Sequence, residues 1–137
     1  MSETRCLSGG CLCGRLRYTA LAVPFAADYC HCRMCQRSTG SVAGVWMDFR
    51  AEQVEWQAVE GLQEYASSEF ARRGFCGQCG STLTFRDTRH AEYLSLAITS
   101  LDEPQRVEPS YHIYTDSQVP WLQLSDSCRR YPQAQTE

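Results

Sequence analysis

The sequence predicts a mainly β chain built from small antiparallel sheets. Short runs rich in Val, Ile, Tyr, Phe, Thr and Leu recur along it, broken by Gly, Asp, Ser or Pro. Several runs alternate with period two: Leu83 and Phe85 face one way, Thr82, Thr84 and Arg86 the other, as in a strand with one buried face. Helical periodicity, by contrast, is nearly absent.

In chain order the expected strands fall on RLRYTA, FAADYCHC, SVAGVWMDF, QVEWQA, LQEYAS, STLTFR and EYLSLAIT. Little helix is expected: a turn after Cys35, and one near SLDEPQRV, where Pro104 suits an early helical position. The cysteine clusters are expected at the ends of the sheets.

A chain of 137 residues with 43% apolar content suits one domain over 1–137, its core spanning about 9–126 and its ends, before Gly9 and after Arg130, loose. The formal charge of -3 and the lack of clustered Lys and Arg argue against a nucleic-acid partner. No run approaches the roughly 18 apolar residues of a membrane span, and the first residues show no apolar export segment. A cytoplasmic protein with no membrane partner is expected. Its nine cysteines should then stay reduced, and an odd number cannot pair completely within one chain. Metal ligation is the first reading, ahead of a disulfide framework.

CLCG and FCGQCGS set a Cys-x-Cys pair, Cys11 and Cys13, against a Cys-x-x-Cys pair, Cys76 and Cys79. Four thiolates in a tetrahedron around zinc lie about 3.8 Å apart, given Zn–S bonds of about 2.3 Å. On a slightly bent strand residues i and i+2 share a face, so Cys11 and Cys13 can converge. Gly77 and Gly80 permit a tight knuckle whose N–H groups can point at sulfur. Buried free cysteines are the ordinary alternative. A closed tetrathiolate zinc would supply folding energy rather than chemistry.

CHCRMC combines both spacings in Cys30, Cys32 and Cys35. His31, between two of these ligands in an extended segment, should point to the opposite face and serve, if at all, beside the site in a catalytic or supporting role. Cys6 and Cys128 carry no ligand motif and read as free thiols. Three protein ligands with one exchangeable position is the catalytic pattern for zinc. Three thiolates on a divalent ion leave a net charge of −1, which damps its Lewis acidity and suits it to a soft ligand, a substrate thiol held as thiolate. The expected chemistry is therefore on sulfur, with a carbonyl as electrophile.

Four blocks, GGCLCGRLRY, YCHCRMCQRSTGS, YASSEFARRGFCGQCGSTLTF and HIYTDSQVPWLQLSD, resemble in order and spacing the glutathione-dependent formaldehyde-activating enzyme family, which also includes centromere protein V. The resemblance spans about Gly9 to Asp126. It implies a β-tent fold organised around zinc, with a structural zinc at Cys11, Cys13, Cys76 and Cys79. It also implies a second, catalytic zinc at Cys30, Cys32 and Cys35 that takes the thiol of glutathione. The implied activity is that of a carbon-sulfur lyase joining formaldehyde to glutathione.

Glutathione carries two carboxylates, so its site should offer cations: Arg33 and Arg37 flank the second cluster, and Arg72 and Arg73 precede the knuckle. His112, Asp116 and Trp121 match the last block; His112 is a candidate pocket residue, Asp116 a turn former, and Trp121 a core or rim aromatic. The expected partners are a small thiol such as glutathione and a small aldehyde. The alternative from another class is a zinc-stapled scaffold without turnover.

Overall fold

A computed structural model describes residues 6–136. It contains eleven strands: β1 (Leu7–Gly10), β2 (Arg17–Ala20), β3 (Ala26–Cys30), β4 (Gly44–Arg50), β5 (Val54–Ala58), β6 (Leu62–Ala66), β7 (Ala71–Cys76), β8 (Thr82–Asp87), β9 (Tyr93–Ala97), β10 (Tyr111–Ile113) and β11 (Arg129–Arg130). The one α-helix among the described residues is α1 (Arg33–Thr39), with short 3-10 turns at Ala51–Gln53, Ile98–Ser100, Pro104–Arg106 and Thr115–Ser117. The fold is mainly β, 40% strand against 15% helix.

Strands β1, β2 and β5 form one antiparallel sheet, and the other eight a second sheet in the order β11-β10-β3-β4-β9-β8-β7-β6. Pairing in the second sheet is antiparallel from β3 to β6. At its far edge β10 runs parallel to both β3 and β11.

Period-two alternation divides this large sheet by face. One face carries Ala27, Met47, Phe49 and Leu96, which pack with Leu7, Tyr18, Ala20 and Val54 of the smaller sheet into the main core. The alternate residues Asp28, Cys30, Trp46, Asp48 and Ser95 look the other way, into a cavity. Met47, Phe49, Leu96 and Tyr18 are completely buried, each worth roughly 1.5–3 kcal/mol of transfer free energy.

All seven expected strands are present, and the SLDEPQRV helix is a single 3-10 turn with Pro104 in its first positions. Two expectations need correction. The helix placed after Cys35 begins at Arg33 and contains Cys35. The ends are also less loose than expected: β1 inserts Leu7 into the core, and Tyr131 is buried with its N–H donating to His112 O at 2.9 Å. Residues 1–5 and 137 lie outside the described residues.

Candidate functional site

Cys11, Cys13, Cys76 and Cys79 come together with all four sulfurs within 4.8 Å of one another. The Sγ atoms of Cys11 and Cys13 are 3.6 Å apart, and those of Cys13 and Cys76 are 3.9 Å apart, bracketing the edge of about 3.8 Å that a zinc tetrathiolate requires. Backbone N–H groups point inward as a metal-bound thiolate wants: Leu16 N donates to Cys11 Sγ at 3.2 Å, and Gln78 N and Cys79 N each to Cys76 Sγ at 3.4 Å. The Ser81 hydroxyl touches Cys79 Sγ at 3.2 Å, and this contact, with the Ser81 backbone, draws the Cys79 thiol down to about 5. The residues fit a closed zinc site.

The geometry corrects how Cys11 and Cys13 converge. β1 ends at Gly10, and both cysteines lie in the turn that follows, where Gly14 N donates to Cys11 O at 3.1 Å. The two knuckle glycines also have different reasons. Gly80 takes a positive φ of 80° and donates to Cys76 O at 2.8 Å, whereas a Cβ on Gly77 would lie 2.5 Å from Gln63 Nε2.

Cys30, Cys32 and Cys35 likewise have their sulfurs within 4.8 Å of one another. Each comes from a different local structure: Cys30 ends β3, Cys32 caps α1, and Cys35 sits in its first turn. Cys32 Sγ accepts the Cys35 N–H at 3.2 Å, so one sulfur is both helix cap and candidate ligand. Gln36 fixes this loop from behind, donating through Nε2 to His31 O at 2.8 Å and to Ser117 O at 3.0 Å. Contact with Cys30, then Cys35, holds the Cys32 thiol down at about 2, while contact with Cys32 and then Cys35 pushes Cys30 far up. A divalent soft ion is the group this donor set fits.

The cavity beside this trio has a volume of about 490 Å³. Trp46, Phe85 and Ile113 give it an apolar wall, and Trp46 and Phe85 contact each other with ring centroids 6.2 Å apart. Arg73, 8% exposed, lies over the Phe85 ring and reaches Cys35 Sγ at 3.5 Å through Nη1. Its other bonds, to Ser67 Oγ at 3.1 Å and Ser38 Oγ at 3.4 Å, fix the guanidinium beside the sulfurs. Tyr114 lines the cavity from a left-handed backbone conformation, φ 57°, which a non-glycine residue adopts only under constraint.

Of the four arginines expected at the substrate, the structure brings only Arg73 to the cavity. Arg72 projects from the opposite side of β7 and donates to Ser68 O, Glu69 O and Ala71 O. Arg33 bonds Gln36 Oε1, and Arg37 is exposed in the last turn of α1; neither lines the cavity. His31 and His112 lie behind the site. His31 Nε2 meets His112 Nδ1 at 2.8 Å, and His112 Nε2 lies 3.2 Å from both oxygens of Asp126. Burial, then the nearby His112, holds the His31 imidazole below its usual value. Asp116 lies in a 3-10 turn, and Trp121 is exposed rather than core. Cys6 and Cys128 stand outside both cysteine groups.

Sequence reasoning passed over two carboxylates on the cavity wall, Asp28 and Asp48. Burial, then the charge of Asp48, raises Asp28 to about 7 against a Tyr111 hydrogen bond. Burial also raises Asp48, against the Ser95 hydroxyl that donates to its Oδ1 at 2.7 Å. The signal was present in FAADYCHC and VWMDF, where one carboxylate interrupts each apolar strand on the face of Cys30 and Trp46.

Among the described residues no helix is long and apolar enough to cross a membrane. The family description "glutathione-dependent formaldehyde-activating enzyme" matches residues 6–117. A curated protein of Schizosaccharomyces pombe, named an uncharacterized lyase, is 36% identical over 81 residues, which is 58% of this chain and 57% of the relative. The chain thus spans little more than half the length of that relative. A crystal structure of a Rhodobacter sphaeroides protein superposes with a TM-score of 0.57 over 74% of this chain and 91% of that one, at 21% identity, and shares the fold.

Proposed function

We propose, from the premise that the chain belongs to the glutathione-dependent formaldehyde-activating enzyme family, that it is a carbon-sulfur lyase of the S-(hydroxymethyl)glutathione synthase type. It takes a small thiol, glutathione or one like it, at Cys30, Cys32 and Cys35, and adds it to, or releases it from, a small carbonyl compound such as formaldehyde. The observation that carries this reading is a three-thiol cluster opening onto a lined cavity, separate from a four-thiol cluster that closes on itself.

Cys30, Cys32 and Cys35 would hold a catalytic zinc, and Cys11, Cys13, Cys76 and Cys79 a structural one. Bound at the three cysteines, zinc would supply an exchangeable fourth position that lowers the pKa of a substrate sulfur. The chain's own residues do the rest. The Arg73 guanidinium adds positive charge beside the sulfurs and can orient an anionic or carbonyl oxygen, while Trp46, Phe85 and Ile113 exclude water from the reacting atoms. In the forward direction a C–S bond forms at the carbonyl carbon, the C=O π pair moves to oxygen, and the thiol proton ends on that oxygen. The two histidines hold the cysteine loop from behind and do not touch this space.

Formaldehyde adds to thiols unaided, so the test is a rate above background. The purified zinc protein should accelerate appearance of the hydroxymethyl thioether signal by NMR exchange, and Cys32→Ala should return it to the uncatalysed value. Equal rates for the two proteins would remove the enzyme claim.

A further inference from the structure

Tyr114 stands on the cavity wall in a backbone conformation that costs free energy. It is the only non-glycine residue with a positive φ among the described residues, and such strain persists only where the surroundings over-determine it. Two segments do so. Residues 131–133 fold back over the turn: Tyr114 N donates to Gln133 O at 2.9 Å, Thr115 N to Tyr131 O at 3.0 Å and Asp116 N to Pro132 O at 3.1 Å. From the other side, the buried Gln36 donates to Ser117 O at 3.0 Å and to His31 O at 2.8 Å, joining this turn to the cysteine loop. Hydrogen bonds on two sides thus fix Tyr114 relative to Cys30, Cys32 and Cys35.

The frame presents a phenol. Ile113 pairs with Cys30 across β10 and β3, so Tyr114 follows directly beyond that pair, and its phenol lies within electrostatic reach of Cys30, Cys32 and Cys35. Its hydroxyl enters none of the hydrogen bonds formed among the described residues. Two other phenols are committed, Tyr18 to Ser100 Oγ at 2.7 Å and Tyr111 to Asp28. Glycine would hold the same turn without strain, and a side chain that is 38% exposed adds little packing in return. What tyrosine adds at this position is an O–H, protonated at neutral pH and free to donate to a molecule in the cavity.

We propose that Tyr114 is a catalytic residue of the thiol–carbonyl reaction, its phenol donating a hydrogen bond to the carbonyl oxygen as that oxygen gains charge. The inference rests on the proposed thiol site at Cys30, Cys32 and Cys35. In the forward direction the sulfur forms the C–S bond, the C=O π pair moves to oxygen, and the Tyr114 O–H stabilises that oxygen until the thiol proton reaches it. The phenol keeps its own proton throughout. In reverse, the same hydrogen bond stabilises the oxygen from which the π bond re-forms as the C–S bond breaks. A carbonyl as small as formaldehyde offers only its oxygen as a handle, so a fixed donor beside the sulfurs is also what orients it. Arg73 reaches the sulfurs from β7 and Tyr114 stands at the end of β10, so the two donors come from separate elements.

The test compares wild type, Tyr114→Phe and Cys32→Ala as full chains. The zinc-loaded proteins are assayed with saturating glutathione and formaldehyde by NMR exchange, and thiol affinity is read separately from the sulfur-to-cobalt absorption of cobalt(II)-loaded protein titrated with glutathione. Tyr114→Phe keeps the ring and should lower kcat about tenfold with glutathione affinity unchanged; a fully enclosed oxyanion donor is worth about a hundredfold or more, and Tyr114 is partly exposed. Tyr114→Asn, which suits the left-handed backbone and carries no phenol, should show the same loss and serves if Tyr114→Phe does not fold. A variant with wild-type kcat, or one that loses glutathione affinity by the same factor as its rate, overturns the assignment while the thiol site stands. A wild type no faster than Cys32→Ala overturns the thiol–carbonyl reading, and the assignment with it.

Discussion

The two cysteine groups use the same pair of spacings, Cys-x-Cys and Cys-x-x-Cys, yet they are built oppositely. In the four-cysteine group the two spacings come from segments some sixty residues apart, and the cluster ties the β1–β2 turn to the β7–β8 knuckle. In the three-cysteine group both spacings overlap within six consecutive residues, from the end of β3 into the first turn of α1, so the cluster ties nothing distant together. The first packs Cys11, Cys76 and Cys79 against Leu16, Leu83 and Leu62 and leaves Cys13 exposed; the second adjoins a cavity. The two groups thus differ in chain connectivity, ligand number and the presence of an adjoining cavity rather than in ligand type.

The largest expected effect tests that contrast directly. Cys76→Ser removes a ligand that joins distant segments and should abolish cooperative unfolding at 25 °C, whereas Cys32→Ser should shift the midpoint of thermal denaturation by only a few degrees. Equal losses would break the distinction. Next, a chelator challenge with metal analysis should remove one equivalent of zinc quickly with the far-UV dichroism intact, and the second only as the dichroism collapses. Simultaneous release would show that the sites are not independent.

A smaller effect belongs to the open site alone. Arg73→Lys keeps the charge but loses the planar fork that spans Ser67, Ser38 and Cys35, and should weaken thiol affinity by about tenfold with little change in stability. The smallest belongs to the main core between the two sheets. The Tyr18 phenol is buried, bonds Ser100 Oγ at 2.7 Å, and is pushed by burial up to about 12 from an ordinary value of 10.0. The unfolded chain releases this proton first, so the contribution is whole below pH 10 and declines as pH rises towards 12. Tyr18→Phe should lose about 1 kcal/mol near neutrality and show a flatter alkaline limb in denaturant titrations.

Both cysteine groups were legible because ligand spacing is a local property, and seven strands because period two survives in a short window. What was not legible depends on register. Arg72 and Arg73 are indistinguishable in sequence, and only the pairing of Arg73 with Phe85 across β7 and β8 decides which one reaches the sulfurs. β10 and β11, of three and two residues, are too short to show any period. His112 carried the right chemistry for a pocket, but its pairing opposite Tyr29 puts it against that ring, centroids 4.4 Å apart, behind the site.

The face-by-face division of the large sheet has an evolutionary consequence. Met47, Phe49 and Leu96 cannot shrink without opening the core, where a change such as Phe49→Ala costs about 3–5 kcal/mol. Asp28, Asp48 and Ser95 interleave with them on the same strands yet contribute little to that core. Mutational drift can therefore rewrite Asp28, Asp48 and Ser95, and with them the molecule that fits above the cysteines, while the intervening residues keep the protein folded.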